Sequence, residues 1–129
     1  MPFPVDIQFV KAAEQLLGVL FPPSFVVRMV RQNGGEVFAG GDCWQLYPFF
    51  DSSDRTRLKR TCNDIVRETK SDRDRPGFPS KAVAIATNGT GDRLVLIAAE
   101  DGMLSHEVYW WDHETDALNK VADDFSELQ

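Results

Sequence analysis

The sequence predicts one α+β domain over residues 1–129, with a mostly antiparallel sheet flanked by N-terminal helices, a middle helix and a short C-terminal helix. Three observations carry this. Two segments of helical apolar spacing open the chain and are separated by Pro22-Pro23. Past Asn33-Gly34-Gly35 the apolar residues fall instead in short alternating or continuous runs. Within those runs, "AIATNGTGDRLVL" has the form of a hairpin. A length of 129 residues suffices for one core and does not divide comfortably into two.

The elements follow in order. Ile7, Val10, Ala13, Leu17 and Leu20 recur at helical spacing, so they are expected inside, with Lys11 and Glu14 on a wetter side. Asp6 is placed to cap this helix. Pro22-Pro23 ends it and seeds the next, since proline cannot continue a helix but suits its first turn. In "SFVVRMVRQ" Phe25, Val26, Met29 and Val30 face in, while Arg28 and Arg31 face out. Asn33-Gly34-Gly35 stops that helix with left-handed backbone. "EVFAG" and "CWQLYPF" read as strands. Residues 55–70 read as one basic helix with Leu58, Cys62, Ile65, Val66 and Thr69 inward, and "SDRDRPGFPS" as a loop. The runs 82–86 and 94–98 flank a turn of about five residues. Their continuous apolar character suggests central strands covered on both faces. "HEVYWWD" supplies another strand, and Val121, Phe125 and Leu128 a short closing helix.

Composition narrows the function. An apolar content of 43% is too rich for a disordered chain. No run approaches the roughly eighteen apolar residues of a membrane span, and "MPFPVDIQF" lacks the basic and apolar regions of a signal peptide. Cytoplasmic residence and free thiols at Cys43 and Cys62 are therefore expected. The net charge is −6. Eight of the fourteen basic residues lie in 55–75, interspersed with Asp64, Glu68, Asp72 and Asp74 and lacking aromatics for base stacking. Residues 92–129 hold ten acidic residues against Arg93 and Lys120. Such a balance disfavours nucleic acid and suits a basic protein partner. It equally describes an acidic, soluble surface without a partner.

The chemistry-bearing stretches mostly have plainer explanations. "TNGTGDR" leads into a strand, not a helix, so it is a hairpin turn and not a phosphate cradle. Asp112-His113-Glu114 combines residue types that bind metals and move protons. A zinc site needs three or four ligands, yet the chain has two histidines, His106 and His113, at opposite ends of the expected strand. Neither a metal nor a catalytic set is predicted, and no cofactor. Along 107–112, Val108, Trp110 and Asp112 share one face and Tyr109 and Trp111 the other. The second pair either packs under a loop or anchors an interface.

Taken in order, "AEQLLGVLFPPSF", "RQNGG", "AIATNGTGDRLVL" and "VYWWDHETDALNKVADDFSEL" resemble the SUKH superfamily, which includes the fungal cell-wall-assembly regulator family and many small bacterial proteins. The resemblance runs from about Ile7 to Leu128 and is weakest over 47–80. It implies an α+β fold without universal catalytic residues, and Gly18, Pro22, Asn33, Gly34, Gly35, Gly91, Asp92, Trp111, Asp112, His113 and Phe125 as structural positions. For bacterial members it implies immunity proteins that bind and neutralise a cognate toxin, often a nuclease.

The expected function is therefore that of an immunity-type binder of a basic toxin, or else a scaffold or regulatory module without a toxin. The candidate partner-binding residues are Asp101, Glu107, Tyr109, Trp111, Asp112, Glu114 and Asp116. A monomer and a homodimer are both compatible with the sequence.

Overall fold

The computed structural model describes residues 2–128; Met1 and Gln129, within the domain bounds expected from sequence, lie outside them. Helices α1 (Ile7–Leu17) and α2 (Pro23–Arg31) lead into strands β1 (Gly35–Ala39) and β2 (Asp42–Leu46). Helices α3 (Arg55–Arg60) and α4 (Ile65–Arg73) follow, then β3 (Ala82–Thr87), β4 (Arg93–Ile97), β5 (Val108–Trp111) and β6 (Leu118–Ala122), and a 3₁₀ turn closes the chain at Phe125–Glu127. The six strands pair in chain order, every pair antiparallel. A meander of this kind places its β1–β2, β3–β4 and β5–β6 turns at one end of the sheet. The longer connections collect at the other.

α1 forms where its caps dictate. Asp6 accepts the Gln8 N–H at 2.9 Å, and Gly18, at φ 69°, returns its N–H to Glu14. Only part of the expected stripe is inside: Val10 and Ala13 are buried, but Ile7 and Leu20 are not. The helix ends before Leu20, which instead bridges Met103, and Ile7 stands in the first turn. Glu14, expected on the wet side, is buried because its carboxylate accepts the Phe21 N–H at 2.9 Å where the chain doubles back. In α2, Phe25 and Met29 have no exposed surface. Arg28 does not face out as expected: its guanidinium folds back to donate to the Gln32 and Gly34 carbonyls.

The basic segment makes two helices instead of one. Thr61 bonds its hydroxyl to Arg57 O at 2.9 Å and takes the Asp51 N–H at 2.9 Å, while Asp64 caps α4 through Arg67 N at 3.0 Å. These side chains stop one helix and start another. Ile65 and Thr69 are inside as expected, but Leu58 and Cys62 are exposed. The closing segment also differs. Leu118–Ala122 pairs with β5, and Asp124 caps the turn through Ser126 N at 2.9 Å. The strand takes Val121 out of the expected Val121, Phe125 and Leu128 helix, which is reduced to the 3₁₀ turn at Phe125–Glu127.

Register divides the sheet into two faces. Val37, Trp44, Leu46, Ala86, Leu94 and Trp110 share one; Phe38, Gln45, Thr87, Arg93 and Trp111 share the other. On the first face the Trp44 and Trp110 rings meet edge to face at 4.9 Å. The β1–β2 turn curls over them closely: a Cβ on Gly40 would lie 2.9 Å from the Trp110 ring. On the second face α4 lies over β3, its Thr69 hydroxyl accepting the Ala84 N–H at 3.0 Å. The run 82–86 is therefore buried throughout, as its continuous apolar character suggests.

Asn33 joins the end of α2 to the segment after β2. It is buried, donates to Phe49 O at 2.9 Å and accepts the Phe49 N–H at 2.8 Å. Asn33→Ala leaves both backbone groups unpaired away from water. We expect a loss of about 2–4 kcal/mol, the cost of stranding two buried polar groups, read by urea denaturation. Asn33→Asp keeps the acceptor alone and should fall between.

Candidate protein-binding surface

The end of the sheet that carries the three hairpin turns is rich in carboxylates, and its frame is held by Asp92. One oxygen of Asp92 accepts the Trp110 indole N–H at 2.8 Å. The other takes the His113 backbone N–H at 3.0 Å and lies 2.5 Å from His113 Nδ1. Burial pushes the Asp92 pKa up, but the bonds from His113 and Trp110 outweigh it and the net shift is down. Gly91 leaves space for this contact, since a Cβ there would sit 3.0 Å from the His113 ring. The β5–β6 turn is folded on Asp112, whose carboxylate accepts Glu114 N at 2.8 Å and whose carbonyl accepts Asp116 N at 2.7 Å. Asp116 adopts φ 62°, and its carboxylate rests against Gly77, where any Cβ would come within 2.1 Å. Asp42 joins the same end by accepting Asn88 Nδ2 at 3.0 Å.

Asp92, Asp112 and His113 present potential metal-ligating atoms within 4.8 Å of one another. Glu114, grouped with Asp112 and His113 in the sequence, is exposed and stands outside that set. The Asp92 oxygens are engaged by Trp110 and His113, and one Asp112 oxygen by the turn amides. The cluster is accounted for as the lock on the end of β5. Cys43 is not set up as a nucleophile either: its thiol donates to Glu36 at 2.8 Å, and that bond pushes its pKa up.

The structure separates the sequence-predicted surface residues into three situations. Trp111 is fully buried, with the Phe78 ring 5.0 Å away edge to face and the Arg75 guanidinium 4.8 Å over its ring. It is a packing residue, and the interface-anchor reading of Trp111 is corrected on that ground. Asp112, Glu114 and Asp116 gather at the turn end, Glu114 and Asp116 exposed and Asp112 half-buried. Asp101 and Glu107 precede β5 and so lie at the opposite end of it, Asp101 exposed. Tyr109 lies between, half-buried, paired with Val95 and Lys120. Sequence reasoning missed Asp42, which reaches the acidic end only through the β2–β3 pairing. The two histidines do part as expected: His113 meets Asp92, and His106 lies 3.3 Å from Asp124.

Ser126, by its hydroxyl and backbone N–H, and His106 hold the Asp124 carboxyl at about 2, below its ordinary 3.8. Asp92 is depressed in the same direction. A carboxylate depressed on folding adds stability above its unfolded pKa and loses it as pH falls through the folded value. Thermal midpoints should therefore drop between about pH 4 and pH 2. Asp124→Asn should flatten that part of the curve, measured by circular dichroism against pH.

This architecture defines a small α+β domain on a curled six-stranded antiparallel meander, with acidic turns gathered at one end. Among its described residues no helix is long and apolar enough to cross a membrane. The chain belongs to the SMI1/KNR4 family (SUKH-1), whose pattern matches residues 4–128. No match to a curated protein accompanies that family assignment.

Proposed function

We propose that the protein is an immunity-type binder that neutralises a cognate toxin by protein–protein contact, the toxin being basic, as a nuclease is. The observation that carries this reading is the SUKH-1 match over residues 4–128, taken with a net charge of −6. The turn end supports it further. Glu114 and Asp116 are exposed there on a frame fixed by Asp92, Asp112 and Gly77. Carboxylates held on a rigid turn lose little freedom on binding, which favours affinity. An acidic face meeting a basic active site also gains association rate and specificity. Occlusion of the toxin's site requires no chemistry from this chain.

Co-expression with effectors encoded beside its gene is the test. Relief of growth inhibition by one of them, together with co-purification, is the expected result. Failure to relieve any adjacent effector removes the reading. The alternative is a scaffold or regulatory module of the kind implied for the fungal branch, favoured by a gene remote from any toxin locus.

A further inference from the structure

The acidic turn end is not the only surface built to receive something. Helix α1 carries two apolar stripes. Val10 and Ala13 face the core, but Phe9, Ala12, Ala13 and Leu16, at i, i+3, i+4 and i+7, line a groove of about 390 Å³ between α1 and α4. Val66, Arg67 and Lys70 of α4 make the opposite wall, and Phe50 also lines the groove. Leu16 is 63% exposed and Phe50 42%, large apolar side chains left in water at one site. The stripe from Phe9 to Leu16 rises about 10.5 Å, two helical turns.

We infer that this groove docks an amphipathic helix of a partner protein, one that carries carboxylates beside its apolar anchors. Two helices with an open apolar seam accept a third by packing side-chain ridges into the groove, and two turns accommodate anchors at i and i+4 or i+7. Charge selects the acidic partner. Arg67 and Lys70 stand exposed on the α4 wall of a chain whose net charge is −6. Arg67 reaches the Cys62 carbonyl at 3.3 Å, and neither cation forms an ion pair among the described residues. Asp64, the one carboxylate in the lining, is buried and already caps α4 through Arg67 N. A second copy fits less well, because a two-fold pairing through the groove brings Arg67 and Lys70 of both copies together. This inference stands apart from the toxin reading, since the surface and the sign of its charge are different.

The test uses fluorescence anisotropy of the full chain with a designed, labelled helix bearing leucines at i, i+4 and i+7 and flanking glutamates. Matched peptides replace the glutamates by lysines, or the leucines by alanines. The glutamate peptide should bind at least about tenfold tighter than either control. Leu16→Asp should weaken it by about tenfold or more with an unchanged thermal midpoint, because Leu16 is exposed. Lys70→Glu, which leaves Arg67 opposed by a glutamate, should remove most of the preference between the charged peptides. Equal binding of both charged peptides, or saturable binding of neither, overturns the inference. Dimerisation in sedimentation that Leu16→Asp abolishes assigns the groove to a second copy instead. Co-sedimentation with phosphatidylserine vesicles that the same change abolishes assigns it to a lipid surface.

Discussion

Truncating Trp111 to alanine should cost about 3–5 kcal/mol, the range for deleting a large buried aromatic. The side chain has no exposed surface and is wedged between Phe78 from the 74–80 loop and the second face of the sheet. Its removal opens a cavity that β5 cannot collapse to fill, because Asp92 and the Asp112 turn fix the strand end. Arg75 loses the ring beneath its guanidinium, and the loop loses its main apolar anchor. Urea denaturation should show a lower midpoint with an unchanged slope. Trp110→Ala is the informative comparison. Trp110 is only half-buried and should cost less, although it also removes a donor to Asp92. A Trp111→Ala protein of near wild-type stability would contradict the packing role assigned here.

Asp72→Ala should be comparably damaging, by about 3–5 kcal/mol, because it strands buried charge. The Asp72 carboxylate is almost fully enclosed, 2.8 Å from Arg93 Nε and 3.3 Å from Arg75 Nη1. Arg93 sits on β4 with its side chain 15% exposed, so it cannot recover its hydration without moving the strand. Arg75 is freer, at 28%, and contributes the smaller share. One carboxylate thus ties α4, the following loop and the second face of the sheet together. Asp72→Asn keeps the hydrogen-bonding shape without the charge and should lose less. If alanine and asparagine are equally mild, the pair contributes specificity of packing more than stability.

Local rules made much of this fold legible. Asp6 caps α1, Pro23 opens α2, and the Asn88–Asp92 turn joins two strands, because each depends on neighbours in the chain, although α1 stops at Gly18, ahead of the expected Pro22-Pro23. The alternation of Trp110 and Trp111 between faces followed from strand geometry alone. What escaped sequence reasoning depends on partners far along the chain. Thr61 breaks the basic helix by bonding Asp51, ten residues back, and Glu14 is drawn inward by Phe21 N. Leu118–Ala122 is a strand only because β5 lies beside it. The candidate surface suffered most. A run of acidic residues looked like one patch, but strand reversal sends Asp101 and Glu107 to one end and Asp112, Glu114 and Asp116 to the other. Asp92 meets His113 across 21 residues, and Asn88 meets Asp42 across 46. The α1–α4 groove was hidden because Leu16 lies off the stripe that packs the core.

Neutralisation by contact is tested most directly by titrating the purified toxin from the protein's own locus while following the toxin's activity. Inhibition should saturate at one equivalent and weaken with rising salt. Glu114→Lys should raise the dissociation constant while leaving the fold intact. Full toxin activity in the presence of excess folded protein would contradict it.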